Sequence, residues 1–117
     1  MNSLNKLKLL LIKNRYFKGL SIKKYSNYDN QFVMDLEITL SSDCLLSDDD
    51  MIIKFFNVKN LMIGYLNPNV SLQINIFDKT SDQLEDINFY VIDEENSTFS
   101  FYCEKICSNS EEFFNDD

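Results

Sequence analysis

Through most of the second half of this chain, apolar and polar positions alternate with a period of two. Three runs between Val70 and Ile106 carry the pattern: VSLQINIF, DINFYVID and TFSFYCEKI. In the first, Leu72, Ile74 and Ile76 alternate with Ser71, Gln73 and Asn75. In the second, Ile87, Phe89 and Val91 oppose Asn88, Tyr90 and Ile92. In the third, Phe99, Phe101 and Cys103 oppose Ser100, Tyr102 and Glu104. Successive side chains of a strand point to opposite faces, so each run reads as a strand with one face in a core and one in water. The polar loop Glu94–Ser97 has the length of a hairpin connection.

Upstream, QFVMDLEITL alternates most cleanly. Phe32, Met34, Leu36, Ile38 and Leu40 face one way, while Gln31, Val33, Asp35, Glu37 and Thr39 face the wet side. SIKKYSNY reads as the strand before it, with Asp29-Asn30 as the turn. MIIKFFNVKNLMIG reads as two short strands around Val58-Lys59-Asn60. Ile52, Ile53, Phe55 and Phe56 crowd the core from a central position, and Tyr65–Asn69 holds the single proline in a turn. Near the start, Leu4, Leu7, Leu10 and Leu11 fit one face of a helix with Ser3 as its cap. Leu7-Lys8-Leu9 also fits the start of a strand; the helix is the preferred reading. The expectation is a mainly β (α+β) fold with one N-terminal helix. An antiparallel sheet of about seven strands forms a sandwich or a partly closed barrel. Residues 1–107 are read as one domain and 108–117 as an acidic tail.

Composition agrees with a packed domain. At 117 residues, with 44% hydrophobic and 14% aromatic content, the chain supplies a core and does not read as disordered. Only 2 Gly leave no material for a phosphate-cradling loop. Charge changes the picture more. Residues 1–30 carry seven Lys and Arg against Asp29 alone, a net +6, so the remainder carries −14 of the total −8. That acidic bulk repels nucleic acid and anionic membrane and favours a basic partner. It also serves plain solubility. The lysines near the start line the solvent side of a packed helix on the simplest reading. The apolar run Leu9–Ile12 is too short for a signal peptide or a membrane span. Cys44, Cys103 and Cys107 are an odd number without a secretory context, which points to the cytoplasm and reduced thiols.

Candidate chemistry is sparse. The chain has no histidine, which removes the commonest general base, the Ser-His and Cys-His nucleophile pairs and most mixed zinc sites. Cys103 and Cys107 lie two strand periods apart, so both sulfurs can share a face, but with Cys44 they make only three ligands. Cys103 reads as a core residue. Ser47–Asp50 resembles part of a calcium loop, yet no Gly follows at the sixth position and Lys59 stands where the bidentate Glu belongs. It reads as a solvated acidic turn. Carboxylate pairs such as Asp82/Glu85 lack any marked cleft for acid-base work. No catalytic, metal or cofactor residue is assigned.

Recognition remains. Acidic residues gather in three loops: Asp48, Asp49 and Asp50; then Asp82, Glu85 and Asp86; then Asp93, Glu94 and Glu95. Loops at one end of an antiparallel sheet converge, so some of these are expected to merge into a negative patch that speeds docking onto a basic surface. Tyr65, Tyr90 and Tyr102 are amphipathic aromatics suited to anchoring such a contact. Tyr90 and Tyr102 also serve simply to pair across the hairpin.

Phe56-Asn57-Val58 with Leu61 and Ile63, Leu72-x-Ile74-x-Ile76-x-Asp78, Gln83-Leu84-Glu85, Asp93-Glu94-Glu95 and Phe99-Ser100-Phe101-Tyr102-Cys103 resemble a group of small bacterial immunity proteins of polymorphic-toxin loci. The resemblance covers about residues 50 to 107 and rests on sheet residues. It implies a non-enzymatic inhibitor that binds one cognate toxin domain, with an acidic surface in the place of phosphate where the toxin is a nuclease. Two other readings stay open: a small-ligand-binding β domain with an apolar pocket, and a self-associating structural subunit.

Overall fold

The leucine stripe sets the first element. Ser3–Lys13 forms helix α1, with Leu7 and Leu11 buried and Leu4 and Leu10 packed beside them, while Lys6, Leu9 and Ile12 stay exposed. Asn14 closes the last turn. Its N–H and its side-chain amide both donate to the Leu10 carbonyl, at 2.8 and 2.9 Å, and Lys13 lies at the negative end of the helix dipole. In this computed structural model, residues 3–43, 50–65, 71–82 and 85–109 are described, with the backbone alone at 113–114.

Among the described residues nine strands follow. They are β1 (Tyr16–Ser26), β2 (Phe32–Ser41), β3 (Met51–Phe56), β4 (Lys59–Ile63), β5 (Ile74–Asp78), β6 (Phe89–Asp93), β7 (Phe99–Cys103), β8 (Lys105–Ser108) and β9 (Phe113–Phe114), with a 3-10 turn at Thr80–Asp82. They pair antiparallel into two open sheets, one ordered β1-β2-β3-β8-β9 and the other β4-β7-β6-β5. The sandwich alternative is therefore the one adopted. At the β1–β2 turn, the Asn27 side chain accepts the N–H groups of Asp29 and Gln31, and Asn30 takes a left-handed φ of 60°.

Two expectations about strand ends need correcting. β1 begins at Tyr16, ahead of the SIKKYSNY run that reads as this strand, and a bulge between Phe17 and Gly19 absorbs the irregularity. The run TFSFYCEKI is two strands in different sheets. Its buried strand positions are Phe99, Phe101 and Cys103, then Ile106 and, just past the run, Ser108, so the phase flips at Glu104. The facing strand does the same, turning between Phe56 and Lys59 at Asn57, whose φ is 55°. Phe56 pairs with Lys105 on one side of the bend and Lys59 with Tyr102 on the other, and the Glu104 N–H donates to the Phe56 carbonyl. A single two-stranded ribbon thus bends and supplies both sheets, keeping its apolar face inward throughout. This split, together with the added β9, explains nine strands where about seven were expected.

Asp35 holds the bend. It falls on the wet face of β2 by alternation, yet it is buried. It accepts the Asn57 N–H at 3.1 Å and the Tyr25 hydroxyl at 3.3 Å. Burial, followed by the Asp35 charge, pushes the Tyr25 phenol up. Asp35→Ala leaves the Asn57 amide without its acceptor and is expected to lower stability by about 1–3 kcal/mol in urea unfolding, with Tyr25→Phe costing about 1 kcal/mol or less.

Both sheets and α1 share one core. Phe55 of β3 meets Phe101 of β7 edge to face at 4.9 Å, joining the two layers. Cys103 lies in that core, where burial pushes its thiol up. Cys107 sits opposite Lys54 in the other sheet and is half-buried, so the two sulfurs do not share a face. Residues 113 and 114, within the stretch read as an acidic tail, pair with Cys107 and Ile106. Among the described residues no helix is long and apolar enough to cross a membrane.

Candidate functional site

The outer face of the four-stranded sheet carries two rows that cross all four strands. Register places Phe77, Tyr90, Tyr102 and Lys59 in one row, and Asn75, Ile92, Ser100 and Met62 in the other. Lys59 and Met62 both point outward because a bulge at Asn60, with φ 56°, shifts the phase of β4 between them. Phe77 and Tyr90 stack at 6.2 Å, and Tyr90 and Tyr102 lie 4.8 Å apart. The tyrosines do pair across the hairpin. In doing so they form the middle of an aromatic ladder whose outer member, Phe77, is exposed, as is Met62 in the neighbouring row.

Carboxylates flank this face at both ends. Asp78, Asp82, Glu85 and Asp86 lie on and beyond the end of β5, with Asp86 3.9 Å from the Lys59 ammonium and Asp82 4.0 Å from that of Lys79. Thr80, through its hydroxyl and its N–H, holds the Asp78 carboxyl below the usual range. At the opposite end the β6–β7 turn carries Glu94 and Glu95, and the Asn75 amide donates to Glu94 at 2.7 Å. β6 has five residues, so the two acidic groups stand about 15 Å apart. They do not converge into a single patch, because the loops before and after one strand leave from its opposite ends.

The remaining predicted residues are placed differently. Asp93 is 0% exposed. Its carboxylate accepts the N–H groups of Gln73 at 2.9 Å, Glu95 at 3.2 Å and Thr98 at 3.2 Å. Burial alone would raise its pKa, but these donors more than offset that and hold it below the usual carboxylate range. Asp93 therefore ties the β6–β7 turn to the segment entering β5 and presents nothing to a partner. Asp50 lies at the start of β3 in the other sheet, paired with Lys18; Asp48 and Asp49 fall outside the described residues. Tyr65 is exposed just past β4, where Gly64 passes so close that an added Cβ would meet the Ser97 carbonyl oxygen at 2.9 Å.

Phe77, Ile92 and Met62 complete the face and were missed by sequence reasoning. The signal for Phe77 and Ile92 was present, since each is a large apolar side chain at a position that alternation assigns to water, whereas the bulge at Asn60 hid Met62. A surface pocket of about 310 Å³ between α1 and the segment entering β5 brings Arg15 and Glu95 to its mouth. It borders the core at Leu11 and Leu72.

The fold is a two-sheet domain with an aromatic face between two acidic ends, and by family the chain is an immunity protein. It belongs to the family described as immunity protein PIM8, which matches residues 1–109 and so takes in the helix and the β1–β2 hairpin as well as the C-terminal sheet. Membership implies a protein toxin as partner. No curated protein and no solved structure matches the chain.

Proposed function

We propose that the chain is a non-enzymatic inhibitor that neutralises one cognate bacterial toxin domain of basic surface, docking it on the outer face of the four-stranded sheet. The observation that carries this reading is the Phe77–Tyr90–Tyr102 ladder set between two acidic ends. Aromatic anchors within a charged rim are the usual source of binding energy and orientation at protein interfaces. A cleft that receives phosphate offers the complementary charge. Residence in the cytoplasm, with reduced thiols, goes with this role.

The deciding experiment is a pull-down with the tagged full chain from its native cells, washed at low salt and eluted at high salt. A single stoichiometric basic protein, toxic when expressed alone, is the expected catch. A bait that returns no protein partner overturns the reading. With the partner in hand, raising salt from 50 to 300 mM should slow association about tenfold, because long-range steering is screened. Glu94→Lys with Glu95→Lys, and separately Asp82→Lys with Glu85→Lys and Asp86→Lys, should each slow it by about three- to tenfold. If neither set changes the on-rate, the acidic ends do not steer the toxin.

A further inference from the structure

The sandwich has two lateral sides, and they are finished differently. Helix α1 contacts both β5 and β9, the edge strands of one side. The bent ribbon puts β3 in line with β4 and β8 in line with β7, so the other two edges, β1 and β4, share the opposite side. There, side chains aimed at the core are left in the open. Ile22 is 45% exposed although Leu36, its direct partner on β2, is 0% exposed. Ile63 is 42% exposed beside Phe99 at 1%. Phe32, on the inward face of β2, is 75% exposed.

The same side offers unused backbone. β1 is 11 residues long, and among the described residues it pairs with β2 and, at its start, through one bridge between Tyr16 and Ser71. Its exposed stretch carries Lys23 and Lys24, whose ammonium groups lie 5.9 Å from the Tyr25 ring and 4.6 Å from the Phe32 ring. Each residue from Ser21 to Ser26 is exposed.

We propose that β1 accepts an added strand from a partner protein, one in which acidic residues alternate with apolar ones, so that the five-stranded sheet gains a sixth strand and the open side is closed. The free edge supplies the main-chain hydrogen bonds. Ile22, with Phe32 beyond it, takes the inward apolar side chains, and Lys23, on the opposite face of β1, takes the carboxylates. A second copy of this chain is the wrong occupant, because pairing β1 with itself would crowd the lysines of both copies along one seam. This surface is separate from the toxin-docking face and does not depend on it.

The test uses the full chain labelled with 15N and a blocked seven-residue peptide alternating glutamate with valine. Amide shifts and slowed hydrogen exchange are expected along Phe17–Ser26, with affinity falling at least tenfold in Lys23→Glu/Lys24→Glu and at least tenfold when alternate peptide nitrogens are methylated. The lysine-valine peptide should not bind. Equal binding of the methylated peptide would show attraction without strand addition, and shifts confined to the α1 lysines would place the contact elsewhere; either overturns the proposal. So would β1 shifts that track protein concentration without peptide, which would make a second copy the occupant.

Discussion

Tyr102→Ala is expected to weaken the toxin complex by about 30- to 100-fold, or roughly 2–3 kcal/mol, read by calorimetric titration of the isolated partner. The size of the effect follows from position. Tyr102 stands between Tyr90 and Lys59 on the outer face of the sheet, one strand in from the β4 edge. A ring there is shielded by its neighbours before binding and loses its remaining water on docking, the setting in which truncation costs most. Tyr90→Ala should behave alike, while Phe77→Ala, at the β5 edge, should cost about 1 kcal/mol. Stability is the control: removing one ring of a cross-strand pair is expected to cost about 1 kcal/mol or less, so the variants remain folded. Parent-like affinity in both tyrosine variants would remove this face from the interface.

Asp93→Ala should be the most damaging single change to the fold outside the apolar core. Three backbone N–H groups, from Gln73, Glu95 and Thr98, lose the carboxylate they share, and the bond to Thr98 is buried away from replacing water. Charge-assisted bonds of this kind make a cost of about 2–4 kcal/mol in urea unfolding the expected result. The pH dependence has a fixed sign. The folded carboxyl titrates below its unfolded value of about 3.9, so its contribution is complete above that pH and is lost as pH falls through the folded pKa. Stability of the parent minus that of Asp93→Ala should therefore shrink on acidification below about pH 4, while Asp78, also held low, cancels in the difference. A difference that stays flat from pH 6 to pH 2.5 would show that Asp93 is not the ionised acceptor described.

The structure also shows where alternation is a sound guide and where it misleads. It assigned Leu36, Ile38 and Leu40 to the core correctly, since sheet neighbours cover both sides of β2. It assigned Asp35 to water wrongly, because the bend at Asn57 folds over that position and needs an acceptor. Phe32 continues the inward series and yet is 75% exposed, because it lies at the far end of the β1–β2 hairpin, beyond the span that β3 pairs with. Among the acidic residues, composition marked Asp93 and Glu94 as alike. One is a buried acceptor that organises a turn, and the other lies beside the aromatic rows.

By itself the sequence determined the parts of this protein that depend on near neighbours. These are the leucine-striped helix, the two-residue periods, the polar turns, the acidic excess and the sheet residues that mark an immunity-type protein. Each follows from the steric alternation of a strand, the pitch of a helix or the count of charges, which need no partner to be defined. The tertiary structure alone decided that one apparent strand serves two sheets, that the acidic loops stand at opposite ends of β6, and that Phe77, Tyr90 and Tyr102 form a ladder. Those depend on register between segments far apart in the chain. A one-residue shift at Glu104 or Asn60 moves every later side chain to the other face.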